Sequence, residues 1–394
     1  MKRLCLALPR AHAALGPIDK IVAGETPVSG TIGAILRLAD ALSQAGHAVT
    51  LSAAQPLLAS PWPSLLHDAL PSLVCDHIIL HQSFLSSETL SLWKAPQILW
   101  LHNRTSWEAV DTFLQQGGQS VVVPSRYLAE VYRAVPRWNT QIVMIPHFPS
   151  PAFHPEPEIP LQRLLFVGAV TPDSGFRDVM RLGSALATRA PALQLAIAGS
   201  IQLHASGPVG ALGVGTPEFE AQEIQPWLAD LPRERPPVFL GALPPVRLRR
   251  EIARSWAVLV NPSWDCPETF CLSAVEAQAC GRPVFSVAAG ALPETICRRP
   301  FDPLATSRGV DALATRVQEA LAQPGPFRML GQESIRFVQQ TFSRERVVAL
   351  WQDLLQGRTS SLACDWPPET ERQWIYEFLR RTGLGMRIHH GGGQ

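Results

Sequence analysis

The sequence predicts an α/β protein made of two doubly wound halves. Three observations lead there. The chain has 394 residues, long for a single hydrophobic core. Short runs rich in Val, Ile and Leu alternate with helical patterns, the rhythm of βαβ units around a parallel sheet. That rhythm breaks at a proline-rich stretch and then restarts. With 46% apolar residues, the chain has hydrophobic mass for two cores.

In the first half the apolar runs are 4–8, 49–51, 77–80, 97–101, 121–123 and 142–145. None alternates cleanly, so each suits a strand buried on both faces. Between the first two, Ile32, Ile35, Leu36, Ala39 and Leu42 fall near the i, i+3, i+4, i+7 spacing of an amphipathic helix, with Gly46 as its stop. The segment HFPSPAFHPEPEIP, 147–160, holds five prolines and reads as an extended linker. The runs 164–167, 193–198, 238–240, 258–260 and 284–287 then carry the second half. Residues 201–225 are glycine-rich and give no pattern. Two helical patterns follow residue 345, one at 371–381, and HHGGGQ ends the chain. The expected domains are 1–148, a hinge at 149–160, a second domain at 161–345, and returning helices with a tail at 346–394. Open α/β sheets bind ligands at the carboxyl ends of their strands, so two facing sheets would enclose a substrate cleft.

Several chemistries are excluded. The 34 Lys and Arg nearly balance the 33 Asp and Glu, which gives no reason to expect nucleic acid. Seven cysteines, odd in number and without a CxxC, fit a reduced, cytoplasmic chain. No P-loop and no G-x-S-x-G elbow occurs. No D-x-D occurs, and the 11 histidines lack zinc-ligand spacing, so no metal is expected. MKRLCLALPRAH reads as a first strand, because its apolar core is too short for a signal peptide.

One segment carries chemistry: NPSWDCPETFCLSAVEAQACGRPVFSV, 261–287. A strand ends at Asn261-Pro262-Ser263, and a helix runs to Gly281 and Pro283. A helix N-terminus offers free N–H groups and partial positive charge, a site for phosphate. Glu268, in the loop before it, suits sugar hydroxyls. Glu276 suits a ribose, as a carboxylate does in dinucleotide folds. Together these describe a nucleotide-sugar. The bland alternative is that Ser273-x-x-Glu276 is a capping box that needs no ligand.

The wider segment, PETFCLSAVEAQACGRPVFSVAAGALPETI, resembles the E-x7-E segment of retaining glycosyltransferases of family 4. Pro262, Ser263, Glu268, Phe270, Glu276, Ala277, Ala279, Gly281, Pro283, Val284, Gly290 and Glu294 fill the family's places. PVSGTIGAILRLADALSQAGHAVTL is similar to its first glycine-rich loop and helix, VVVPSRYLAEVY to its P-S-x-x-L segment, and RLLFVGAVTPDSGF to the strand opening its second domain. The resemblance covers about residues 1–350. It implies the GT-B fold: two Rossmann-like domains facing across a cleft, with C-terminal helices packing back on the first. It implies that Glu268 and the amides of Phe270, Cys271 and Leu272 hold the donor sugar and diphosphate. Glu276 would hold the ribose, with Gly30 and Gly168 at donor-facing turns. His102, after its strand, stands where the family has a histidine near the donor sugar. A strand-end histidine is otherwise a structural residue.

The chain departs from the family at three places. The family's Arg and Lys, which neutralise the leaving diphosphate, are replaced by Ala169 and Ser174, and Cys271 stands where the family has glycine. Charge in a low-dielectric site needs a counter-charge, and Arg177, Arg181 and Arg104 are the substitutes the sequence offers. The resemblance implies a retaining, metal-independent glycosyltransferase. It would use a nucleoside diphosphate-sugar donor of unread base, no cofactor, and a carbohydrate or lipid-linked hydroxyl acceptor. The alternative is a catalytically impaired GT-B protein acting as a scaffold in glycan assembly. Arg247, Arg249, Arg250 and Arg254 form either a solvated helix face or a peripheral contact with the inner membrane face. The oligomeric state is not legible.

Overall fold

The computed structural model describes residues 1–10, 12, 14–85, 90, 93–157, 161–203 and 207–358. The chain divides into two compact units. The first holds Met1–Val22, Gly30–His147 and Arg344–Gln394; the second holds Ala23–Ser29 and Phe148–Ser343. The short segment Ala23–Ser29, which the sequence places inside the first domain, therefore groups with the second. Gly24 shows how: its carbonyl accepts the Val246 N–H at 3.1 Å. The expected helix at 371–381 and the HHGGGQ tail lie outside the described residues.

The first unit is built on a parallel sheet. Its strands are β1 (Arg3–Ala7), β2 (Ala48–Ala53), β3 (Ser64–Leu66), β4 (His77–His81), β5 (Gln97–Trp100), β6 (Ser120–Val123) and β7 (Ile142–Met144). They lie in the order β3-β2-β1-β4-β5-β6-β7. Its helices are α1 (Ile18–Val22), α2 (Gly30–Gln44), α3 (Trp107–Gln115) and α4 (Arg126–Arg133). The continuous apolar runs have the expected cause: Val121, Val122 and Val123 are fully buried, each face of the strand being covered. α2 buries Ile32, Ile35, Leu36, Ala39 and Leu42, the residues its spacing singled out, and stops at Gly46 with φ of 87°.

The second unit repeats the plan. Its strands are β8 (Leu161–Val167), β9 (Gln194–Ala198), β10 (Val238–Gly241), β11 (Ser255–Leu259), β12 (Val284–Val287) and β13 (Leu304–Ala305), in the order β10-β9-β8-β11-β12-β13. All paired strands are parallel. Its helices are α5 (Phe176–Arg189), α6 (Pro217–Phe219), α7 (Gln225–Asp230), α8 (Pro245–Ala253), α9 (Leu272–Ala279), α10 (Leu292–Thr295), α11 (Val310–Ala322) and α12 (Pro324–Thr341). One last helix, α13 (Arg344–Leu355), belongs to the first unit. Arg344 pairs there with Asp40 of α2 at 3.2 Å, and Trp351 meets Trp100 edge-on at 5.2 Å. This is the return the resemblance implies.

Each sheet reverses its winding between its first and fourth strands. In the second unit that place lies between β8 and β11, where Phe166 sits beside Leu259. The carboxyl ends of two such strands open a crevice that helices do not fill, and ligands of open α/β sheets bind there.

Residues 207–225, without a pattern in the sequence, have a clear order. Glu220 is buried at 2% exposure, and its carboxylate accepts the N–H groups of Leu212 (2.7 Å), Val214 and Gly215 (both 2.9 Å). A buried carboxylate must be satisfied, and three backbone donors do that here. The glycines let the loop wrap closely around it.

Candidate functional site

At the reversal point of the second unit, β11 runs into Val260 and Asn261. Ser286 of β12, fully buried, donates its hydroxyl to the carbonyls of Val260 (2.9 Å) and Asn261 (2.8 Å) and pins the strand end. The Asn261 side chain then organises the loop. Its Nδ2 donates to the Cys266 carbonyl at 2.8 Å and to Glu268 Oε1 at 3.1 Å, and its Oδ1 accepts the Ser263 N–H at 3.1 Å.

Glu268 is fixed from both sides. Its carbonyl accepts the Ala291 N–H at 2.8 Å. Gly290 turns there with φ of 57°, and a Cβ on it would come within 2.9 Å of the Glu268 nitrogen. Only glycine fits both the dihedral and the approach. The carboxylate is half-buried. Burial raises its pKa, and the Asn261 hydrogen bond opposes that rise. Among the described residues, only Oε1 has a hydrogen-bond donor.

The chain enters α9 three residues on. The first helical residue is Leu272 and the N-cap is Cys271, which makes no side-chain cap hydrogen bond. The capping-box alternative for Ser273 and Glu276 is thereby corrected. Ser273 lies inside the helix, and Glu276 lies in its second turn, buried at 8%. The Cys271 thiol is raised well above its ordinary pKa, first by burial and then by the charge of Glu268. Phe270 is buried, with its ring edge-on to Phe342 at 5.4 Å. These two side chains point into the core, so only their backbones are available to a ligand.

The N-terminus of α5 comes to the same place. Gly175, its N-cap, has φ of 81°, and a Cβ on it would come within 2.7 Å of Asn261 Oδ1 and 2.8 Å of the Ser263 Cβ. Gly168, just past β8, donates to the Ala198 carbonyl at 3.2 Å. Two helix N-termini thus meet the ends of β8 and β11. The cations proposed from sequence are engaged elsewhere. Arg177 forms a two-point pair with Glu223 (2.7 and 2.6 Å), and Arg181 pairs with Asp178 at 2.9 Å. Ser174 ties its own loop, donating to the carbonyls of Ala169 (2.7 Å) and Thr171 (3.0 Å). Of the arginine cluster, Arg249 turns to Glu156 at 2.6 Å, while Arg247, Arg250 and Arg254 are exposed.

Gly30 and His102 lie in the first unit. Gly30 opens α2 and is exposed. Arg104 lies with its guanidinium 5.9 Å from the Trp107 ring. His102 follows β5, and Gln82 Oε1 accepts its N–H at 2.7 Å and that of Asn103 at 2.9 Å. Its ring stacks on His147 (5.0 Å, 15°) and lies 4.4 Å from Trp100 and 5.5 Å from His81. Burial, then the neighbouring His147, His81 and Arg37, hold the His102 imidazole well below its ordinary pKa. Burial lowers His81 to about 4 and His147 to about 3. These rings are neutral at pH 7. The sequence singled out His102 alone. His81, Gln82 and His147 were missed, though each follows the end of a β-run.

The site residues therefore fall into two groups. Glu268, Phe270, Cys271, Leu272, Glu276 and Gly168 share the reversal point of the second unit. Gly30 and His102 belong to the first. Two doubly wound sheets, one carrying a carboxylate loop at the head of a helix, define a protein of the GT-B class. Residues 154–336 match the sequence profile described as glycosyl transferases group 1. Over this stretch the chain is similar to that family.

Relatives agree. D-inositol 3-phosphate glycosyltransferases from Geodermatophilus obscurus and Actinosynnema mirum are 35% and 34% identical over 130 and 134 residues, 33% and 34% of this chain. The matched segments span 26% and 29% of those proteins, so the chain covers about a third or less of their length. Among solved structures, sucrose-phosphate synthase from Thermosynechococcus elongatus has a TM-score of 0.67 at 18% identity, covering 92% of this chain and 100% of that one. Anabaena HepE, solved with UDP-glucose, has a TM-score of 0.69 at 14% identity, covering 91% and 100%. These likenesses show the fold.

Proposed function

We propose that the protein is a retaining, metal-independent glycosyltransferase that moves a sugar from a nucleoside diphosphate-sugar to a hydroxyl of a carbohydrate or lipid-linked acceptor. One observation carries this reading. Glu268 has one carboxylate oxygen tied to Asn261 and, among the described residues, no donor on the other, directly before the N-terminus of α9. That other oxygen accepts a sugar hydroxyl. The amides of Phe270, Cys271 and Leu272 take the diphosphate, and Glu276 takes the ribose. Gly168 stands at the end of β8, and Gly175 lets the head of α5 come close to Asn261 and Ser263. The similarity of this unit to glycosyl transferases group 1 and the UDP and UDP-glucose complexes of HepE support the donor class.

The chemistry is chiefly positioning and electrostatics. The helix amides stabilise the charge that grows on the leaving diphosphate. The neutral His102, placed near the donor sugar by the family resemblance, would accept a hydrogen bond from a sugar hydroxyl. Arg177 and Arg181 of this unit pair with Glu223 and Asp178, so in this reading the diphosphate site leans on backbone donors.

The test is a thermal-shift screen with UDP, GDP, ADP, dTDP and their common sugars. A ligand at a hundred times its Kd adds about 2.7 kcal/mol of apparent stability. One base is expected to give a clear shift, and Glu268→Ala is expected to abolish transfer while keeping the shift from the bare diphosphate. No shift with any nucleotide, or full turnover in Glu268→Ala, rejects the reading.

A further inference from the structure

Asn261 uses both donors of its carboxamide and one acceptor position of its oxygen. Its two donor positions go to the Cys266 carbonyl and Glu268 Oε1, and its oxygen takes the Ser263 N–H. The orientation of the amide is therefore fixed. A flipped amide would set a donor against the Ser263 N–H and its oxygen against the two acceptors. The residue is 8% exposed, its backbone carbonyl is held by the buried Ser286, and Gly175 of α5 presses against its oxygen. No other described residue donates to the Glu268 carboxylate. The orientation of Glu268 thus depends on one amide that is itself held at its backbone and at all three side-chain contacts.

We propose that Asn261 is a positioning residue for the donor sugar: its amide holds one oxygen of Glu268 so that the other faces the sugar hydroxyls. This rests on the reading of Glu268 as the sugar contact. Neither the diphosphate amides nor Glu276 is hydrogen-bonded to this side chain. Removing the amide should therefore cost sugar recognition and leave diphosphate recognition intact. Asp at 261 is the sharpest probe. It has nearly the same shape, and it keeps the acceptor for Ser263. It also places an acceptor against the Cys266 carbonyl and a carboxylate against Glu268.

The experiment measures the ratio of affinities for a nucleoside diphosphate and its sugar conjugate by calorimetry. The pairs are UDP with UDP-glucose, GDP with GDP-mannose and ADP with ADP-glucose. In Asn261→Asp the ratio is expected to turn against the sugar by about 10-fold to 100-fold, the scale of one hydrogen bond to a charged group. Affinity for the bare diphosphate should stay within about twofold in Asn261→Ala, which adds no charge; in Asn261→Asp the added charge repels the diphosphate of both ligands alike, and the ratio is read against that. Glu268→Ala should give the same change. In the Glu268→Ala background, Asn261→Asp should change the ratio no further, the signature of two residues acting as one unit.

Parallel loss of both ligands, or an unchanged ratio, overturns the inference, because a merely structural residue would behave so. Independent, additive effects in the double variant also overturn it. A wild-type protein that binds none of the pairs fails the proposed function, and this inference with it. That failure is visible before any variant is made. If Asn261→Asp does not fold by circular dichroism, Asn261→Ala removes the amide without adding charge and is held to the same outcomes.

Discussion

The two units share one winding and carry different chemistry at the carboxyl ends of their strands. Past β4, β5 and β7, the first unit sets neutral imidazoles against tryptophan: His81, His102 and His147 around Trp100. Past β8 and β11, the second unit sets a carboxylate and two helix N-termini. The crevice comes from the winding of the sheet, and a few residues after each strand decide its charge. The fold offers a place, and the loops write the function.

Acid should pull the two edges in opposite directions. His81 and His147 titrate near 4 and 3 in the folded chain, against 6.5 ordinarily. Their folded pKa is depressed, so below pH 6.5 the unfolded chain takes protons that the folded chain refuses. Stability then falls with pH. By pH 5 the loss is about 2 kcal/mol for each imidazole. Glu268 runs the other way. Its folded pKa is raised, so burying the charged form costs stability at neutral pH, and that cost fades as pH falls through its folded value. Hydrogen exchange at pH 7 and pH 5, corrected for the intrinsic rate, should show β4 and β5 losing protection while β11 and α9 hold theirs. Equal loss in both units would break the contrast.

Glu220 gives the next largest effect, confined to the second unit. Glu220→Ala strands the buried N–H groups of Val214 and Gly215 and the half-buried one of Leu212, which should cost about 3 kcal/mol. The melting temperature should drop accordingly, with new proteolytic cuts at 207–215. An unchanged melting temperature would mean that the loop is held by its own turns.

This loop also marks where the sequence falls silent. The buried runs of both sheets and the segment from Glu268 to Gly290 are legible because each depends on residue type: Val and Ile in strands, glycine at a positive φ. The Glu220 clamp depends on backbone N–H groups of residues 212, 214 and 215, which leave no trace in side chains. β3 and β13 are too short to show a period, with three and two residues. The start of α9 misleads because Cys271 is no cap former, whereas Ser273 is. Arg177 reads as a free cation until the fold brings Glu223 to it from 46 positions away.

The smallest effect tests Ser174, where the resemblance places a lysine. Ser174→Lys restores the family's charge at the N-terminus of α5. It removes a hydroxyl that donates to Ala169 and Thr171, a loss of about 1 kcal/mol in stability. In exchange, an ammonium reaches the ends of β8 and β11. Attraction to a diphosphate at a partly screened site should tighten binding about tenfold. That gain should shrink with added salt, because exposed charges are screened over roughly 10 Å at 0.1 M. Titration of the wild type and Ser174→Lys with nucleoside diphosphate at low and high salt checks both points. A salt-sensitive gain would show that the diphosphate lies at the head of α5, with the helix amides already in place. No gain at any salt would show that the diphosphate does not lie at the head of α5, and the contrast between the two edges would then rest on Glu268 and α9 alone.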